Sequence, residues 1–186
     1  MRRVVVYRAD MGQPTTVIPT LETARLRLRA HRVDDLPACI AMWGDPAVTR
    51  HIGGRSFTRE ETWGRVLRYA GHWALLGYGY WVIEELASRR FVGEIGFSDF
   101  KRDLPMDLGG APEIGWALAT WAHGQGFATE AVRAALAWSE TRFPTPRTVC
   151  LIDPDNHASL RVAAKCGYRE LARVTYKGLP TLLFER

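Results

Sequence analysis

Between Glu113 and Arg142 a short strand pattern runs through a glycine-rich turn into a long one-sided helix. Glu113-Ile114-Gly115-Trp116-Ala117-Leu118 has strand character, and His123-Gly124-Gln125-Gly126-Phe127-Ala128 forms the turn. From Gly126 to about Arg142 the residues Ala128, Ala131, Val132, Ala135, Leu136 and Trp138 share one side, and Pro144 and Pro146 stop the run. A strand that feeds a helix in this way implies packed layers of sheet and helix. Gly124 and Gly126 carry no side chains, so their amides can approach an anion closely. The free N–H groups and dipole of the helix that follows favour phosphate. The hexapeptide alone is equally compatible with an ordinary turn between strand and helix.

The flanking segments extend the pattern. Arg25-Leu26-Arg27-Leu28-Arg29 alternates and reads as a first strand, its arginines on the solvated face. Asp34 or Asp35 can cap a helix running to about Trp43, stopped by Gly44-Asp45-Pro46. Thr58-Arg59-Glu60-Glu61 is a capping box opening a second helix with Trp63, Val66, Leu67, Ala70, Trp73 and Ala74 at helical spacing. Tyr78–Glu85 and Phe91–Phe97 form a hairpin across Ser88-Arg89-Arg90. Gly115 within the next strand suggests a bulge or a close approach. Arg147–Ile152 is a strand, Asn156 caps a helix through Lys165, and Tyr168–Thr175 and Thr181–Glu185 close the chain around Lys177-Gly178-Leu179-Pro180. Residues 1–19 lack a clear period and read as an N-terminal arm. Residues 20–186 read as a single domain, the size one hydrophobic core can hold together.

Charge narrows the partners. The net charge is +5, which suits an anionic partner, and the basic residues are scattered. No nucleic-acid motif accompanies them, so a phosphate-bearing cofactor ranks above nucleic acid. Cys39, Cys150 and Cys166 are odd in number and widely spaced, and no CxxC pair or His cluster supplies metal-ligand spacing. They read as reduced structural thiols. With no apolar run of membrane length and no signal-peptide core, the expected location is the cytoplasm. The expected state is a monomer or homodimer.

Six separated segments together resemble the GCN5-related N-acetyltransferase (GNAT) superfamily over residues 20–186. The nearest likeness is its ribosomal-protein-alanine acetyltransferase branch. The segments are Leu21 to Arg29, Asp45 to Arg50, Val92 to Phe97, Glu113 to Trp116, Gly124 to Ala131 and Asn156 to Arg161. The family's pyrophosphate signature ends in Gly, any residue, then Gly or Ala. Gly126 and Ala128 match it, while His123 replaces the usual Gln or Arg at its start. The resemblance implies an α/β (α+β) fold. Its mixed, mostly antiparallel sheet has about seven strands, flanked by about four helices, with a V-shaped splay between the strands at 113–118 and 147–152, the family's strands 4 and 5. It implies a bulge in the first of these, near Gly115.

The resemblance also implies transfer of acetyl from acetyl-CoA to a primary amine, on a protein N-terminus or a small molecule, by direct attack in a ternary complex. An acetyl-CoA-binding sensor or structural protein of the same fold is the alternative. Ala117, Leu118 and Ala119 map to the pantetheine-pairing strand. His123, Gly124, Gln125, Gly126, Phe127, Ala128 and Thr129 map to the pyrophosphate turn, with Asn156 near the pantetheine. Glu113 is the candidate base, ahead of Glu94 and Asp99. The tyrosine many members use as general acid is replaced by Ala163, so Ser159 is the candidate acid. No metal is expected. Trp43, His51, Phe57, Trp73, Tyr78, Tyr80 and Trp116 could shape the acceptor site, with the loop from Gly44 to Phe57 as a lid. Arg50 and Arg55 in that loop point to an acceptor bearing an anion.

The rival readings fail on missing parts. His123-Gly124-Gln125-Gly126 resembles an esterase oxyanion segment, yet there is no Gly-x-Ser-x-Gly elbow. A dinucleotide-binding Gly-x-Gly-x-x-Gly is also lacking.

Overall fold

The computed structural model describes residues 17–186; residues 1–16, most of the expected N-terminal arm, lie outside the described residues. The strands are β1 (Leu21–Glu22), β2 (Leu26–Arg29), β3 (Tyr80–Glu85), β4 (Phe91–Ser98), β5 (Glu113–Leu118), β6 (Val149–Ile152), β7 (Arg169–Tyr176) and β8 (Leu179–Glu185). The helices are α1 (Leu36–Gly44), α2 (Pro46–Thr49), α3 (Arg59–Leu76), α4 (Phe127–Arg142) and α5 (His157–Lys165). The sheet runs β1-β2-β3-β4-β5-β6-β8-β7. Its pairs are antiparallel except β5–β6. The eighth strand and fifth helix, beyond the expected seven and four, are the two-residue β1 and four-residue α2. Both are too short to leave a periodic signal in the sequence.

Local chemistry sets most boundaries. Thr58 and Glu61 form the anticipated capping box, with Glu61 N–H donating to Thr58 Oγ1 and Thr58 N–H to the Glu61 carboxylate. Gly77, at φ 73°, terminates α3. The expected cap of α1 does not form. Asp35 instead turns its carboxylate to Arg29, 2.8 Å from both Nη atoms, and a 3-10 turn over Val33–Asp35 leads into the helix. Lys177 and Gly178 both have positive φ, which makes a tight two-residue turn and starts β8 earlier than expected, at Leu179.

Apolar residues pack on both faces of the sheet. On one face Leu26, Leu28, Ile83, Ile95, Phe97 and Ile114 meet Ala131, Val132, Ala135 and Leu136 of α4. Trp73, Trp81 and Trp138 cross edge to face within this core. On the other, Ala117 packs with Cys39, Met42, Trp43, Val48 and Val66 from α1, α2 and α3. Burial of each large aliphatic side chain contributes about 1.5–3 kcal/mol.

Of the first strand's arginines only Arg25 is exposed; Arg27 and Arg29 are half-buried and ion-paired. Arg27 pairs with Glu22 and Glu84, and Arg29 with Glu84 and Asp35. The strand alternates as expected, but the face opposite Leu26 and Leu28 is lined by carboxylates from β3 and the 3-10 turn.

Candidate active site

The cleft begins where two parallel strands part. β5 and β6 share one register pair, Glu113 with Val149, and Val149 N–H donates to Pro112 O at 3.0 Å. Beyond that point the strands no longer pair, which is the splay between the expected strands at 113–118 and 147–152. On its other side β5 runs in unbroken register with β4, from Glu113 opposite Ser98 to Leu118 opposite Gly93. No bulge interrupts it at Gly115. The sheet's irregularities lie instead at Ile83/Glu84 and Glu170/Ala172. Gly115 answers to a close approach: a Cβ there would lie 2.2 Å from Tyr80 Oη.

Register decides which backbone groups face the opening. Ala119 N–H donates to Val92 O at 2.9 Å, so alternation turns the polar groups of Ala117 and Ala119 toward β4. Those of Trp116 and Leu118 face the splay. Among the three residues expected to pair with a pantetheine arm, only Leu118 is so directed, and Trp116 was missed. Its parity becomes readable only once the β4 register is known. The Leu118 carbonyl already accepts from His123 Nε2–H at 2.9 Å. His123 thus braces the end of β5 from an exposed position.

The glycine turn closes one end of the cleft. Gly124 and Gly126 have φ of 76° and 81°, a left-handed backbone that suits glycine. Gly126 caps α4 without a side-chain hydrogen bond, and the first amide to find a protein acceptor is that of Glu130, on Gly126 O. The amides of Gly124, Gln125, Gly126, Phe127, Ala128 and Thr129 have no acceptor among the described residues. A consecutive row of free N–H groups at the start of a sixteen-residue helix is a fitted site for a pyrophosphate.

Arg25 holds that turn in place. Its Nη1 donates to Gln125 O at 3.0 Å, its Nε and Nη2 engage Glu130 at 2.8 and 2.6 Å, and its Cζ lies 4.6 Å from the Phe127 ring centroid. Thr23 Oγ1 donates to the same Glu130 carboxylate. Hydrogen bonds from Thr23 and Arg25 outweigh burial and keep the Glu130 pKa below the usual range. Sequence reading did not connect Arg25 to the turn, because about a hundred residues separate the partners. Its available signal was the acid Glu130 in the first turn of the helix.

Across the splay, Asn156 Oδ1 accepts from Ser159 N–H at 3.1 Å and caps α5. Ser159 is half-buried, and its hydroxyl has no partner among the described residues. Glu113, 8% exposed, is gripped by Arg102 through both oxygens, Nε at 2.6 Å and Nη2 at 2.7 Å. Glu113, Gly115 and Ala117 share one face of β5, the face that meets α1 and α3.

The other proposed acids are committed elsewhere. Glu94 is fully buried and accepts from His31 Nε2, Cys39 Sγ and Trp43 Nε1 at 3.2, 3.3 and 2.9 Å. Burial pushes its pKa up, but these bonds, led by His31, prevail and hold it low. This network fastens α1 to the sheet. It also brings the donor atoms of His31, Cys39 and Glu94 within 4.8 Å of one another, a grouping no sequence spacing announces. Asp99 pairs with Lys101 at 2.6 Å. The cysteines are free and buried, and burial raises each thiol pKa.

The aromatic set divides. Trp43, Phe57 and Tyr80 lie on the α1/α3 side of β5. Trp73, Tyr78 and Trp116 pack against the main core instead. In the loop from Gly44 to Phe57, His51 Nδ1 bonds Asp153 Oδ2 at 2.8 Å, tying that loop to the end of β6. Thr120 Oγ1 donates to Asp45, which ties the loop's start to the segment after β5. Arg55 is spent on Glu61, whose carboxyl is held down to about 2 by that partner. Among the described residues no helix is long and apolar enough to cross a membrane.

Residues 25–169 match the family model described as an acetyltransferase (GNAT) domain. The chain is 28% identical over 172 residues to the uncharacterized protein YkkB of Bacillus subtilis, covering 89% of this chain and 94% of that one. It is 25% identical to the uncharacterized N-acetyltransferase p20 of Bacillus licheniformis, over 81% of this chain and 83% of that one. An acetyltransferase from Agrobacterium tumefaciens superposes with a TM-score of 0.78 at 26% identity, covering 100% of this chain and 99% of that one. The RimL ribosomal L7/L12 alpha-N-protein acetyltransferase, solved with coenzyme A, shares the fold at a TM-score of 0.74 and 19% identity, over 90% and 97% of the two chains.

Proposed function

This chain belongs to the GNAT acetyltransferase family, and we propose that it transfers an acetyl group from acetyl-CoA to a primary amine by direct attack in a ternary complex. The acceptor is a small-molecule amine or a protein N-terminus, and residues 20–186 act as one catalytic unit. The observation that carries the cofactor reading is the row of unpartnered amides from Gly124 to Thr129 beside a splayed pair of strands. The structural neighbour solved with coenzyme A supports it.

The thioester supplies an activated acyl carbon, and the protein supplies placement and proton handling. The amides of residues 124–129 hold the pyrophosphate, with His123 and Arg25 fixing the turn's two sides. Trp116 and Leu118 present backbone groups to the pantetheine as an added strand would find them. Glu113 takes the amine proton, directly or through one water. Arg102 occupies one direction on each carboxylate oxygen, and each oxygen keeps further lone pairs. The Ser159 hydroxyl protonates the leaving sulfur and regains its proton from solvent, and Asn156 fixes the helical turn that carries it.

Gly124→Asp tests the cradle. A Cβ at Gly124 meets nothing within 4 Å, and aspartate is among the few residues that adopt the left-handed backbone, so the cost is backbone strain and not a clash; circular dichroism checks that the variant is folded. Its carboxylate repels the pyrophosphate. Calorimetric titration should show acetyl-CoA affinity falling about tenfold or more, the loss of a charge-assisted contact. Unchanged affinity would remove the cradle from the reading. Thiol release with an amine panel separates catalysis from a purely binding role.

A further inference from the structure

Arg65, in α3, is a half-buried cation with no carboxylate partner among the described residues. Its Cζ lies 3.9 Å from the Trp43 ring centroid and 4.8 Å from that of Phe57. Its Nη1 donates to Tyr69 Oη at 3.1 Å, its one hydrogen bond to the described residues. The neighbouring arginines differ: Arg29 pairs with Asp35 and Glu84, Arg55 with Glu61, and Arg102 with Glu113. Among the described residues no buried side-chain nitrogen lacks a hydrogen-bond partner, so the remaining donors of Arg65 lie on accessible atoms.

Arg68 follows one turn later and also has no carboxylate partner among the described residues. Its Cζ is 5.2 Å from the Phe100 ring, and Arg102 approaches the same ring at 4.9 Å. Burial and the charges of Arg65 and Arg102 lower the Arg68 pKa, the mark of crowded cations. Glu113 answers Arg102 with both oxygens, while Arg65 and Arg68 have no ion-pair partner among the described residues, and Glu94 acts on Arg65 only at a distance.

This charge adjoins the cleft strand. Tyr69 stacks on Tyr80 at 4.2 Å between centroids, and Tyr80 Oη presses on Gly115, between Glu113 and Ala117. A guanidinium flanked by aromatic rings is partly shielded from water, which strengthens its attraction for an anion. Its planar fork matches a carboxylate.

We propose that the acceptor carries a carboxylate beside its reacting amine, and that Arg65, seconded by Arg68, receives it. This rests on the acetyl-transfer reading above. It moves anion recognition from the loop arginines, of which Arg55 is already paired, to the inner face of α3.

The test is thiol release by the wild-type protein on matched amines: amino acids against their amides, and short peptides with Asp or Glu near a free N-terminus against their Asn or Gln forms. In at least one pair the carboxylate form should show a kcat/KM about tenfold or more higher. Preference confined to amino acids assigns a small acceptor, and preference confined to peptides an acidic N-terminus. Arg65→Gln should lower kcat/KM about 10–100-fold for the favoured carboxylate and change its neutral counterpart by less than about threefold. Arg68→Gln, at an exposed position where only the contact with the Phe100 ring is lost, should give a smaller loss of the same selectivity. Neutral forms turned over as fast as their acids by the wild-type protein would overturn the proposal and leave acetyl transfer standing. No turnover on any amine, with acetyl-CoA still bound, would overturn both.

Discussion

Gly115→Ala places a methyl group where Tyr80 Oη stands, 2.2 Å away, well inside van der Waals contact. The hydroxyl cannot simply step aside. Tyr80 is buried, and its ring is stacked on Tyr69 at 10° between planes. Overpacking of this kind costs about 1–3 kcal/mol. Removing the hydroxyl relieves it, because the next atom, Tyr80 Cζ, lies 3.4 Å from the added carbon, a tight but attainable contact. Tyr80→Phe alone should cost about 1 kcal/mol, the ordinary value of a lost polar interaction. The double variant should therefore be about 1–2 kcal/mol more stable than the sum of the singles predicts. Urea denaturation reads this directly. With a slope of about 2 kcal/mol per M, Gly115→Ala moves the midpoint down by roughly 1 M, and the added Tyr80→Phe lowers it no further and recovers up to about half of that. Additive single effects, within about 0.5 kcal/mol, would refute the steric account of this glycine.

Other outcomes follow from the same geometry. Arg25→Ala removes the clamp on Gln125 O and Glu130 and should weaken acetyl-CoA binding about tenfold by calorimetry, while Arg27→Ala, with its partners at Glu22 and Glu84, should leave it near wild type. Ser159→Ala should lower kcat about 10–100-fold with unchanged acetyl-CoA affinity, and equal loss of both would remove the hydroxyl from proton transfer. Glu94 is held below its ordinary value of 4.5 in the folded protein, so its contribution is complete above that pH and lost as pH falls through the folded value. Stability measured between pH 6 and about 3 should fall more steeply for wild type than for Glu94→Gln, and parallel slopes would exclude Glu94 as the source.

The local grammar of this chain was legible before any coordinates. The Thr58 box, the Asn156 cap, the glycine turn and the alternating strands depend on neighbours a few residues away, and short-range contacts leave short-range patterns. The family's motifs likewise located the glycine turn between β5 and α4. What sequence could not reach depended on register and on distant partners. Whether Trp116 or Ala117 faces the splay is a matter of one residue of parity, set by pairing with β4. Arg25, read as a solvated strand charge, became the brace of a turn a hundred residues away. Asp35, read as a cap, is held by Arg29 instead. Arg65 carried no motif at all, and its proposed role arises from the carboxylate partner that three neighbouring arginines have and that it lacks among the described residues. Sequence determined which elements form and what cofactor they resemble a site for. Tertiary structure decided which charges are compensated, because ion pairing joins residues that only the folded sheet brings together.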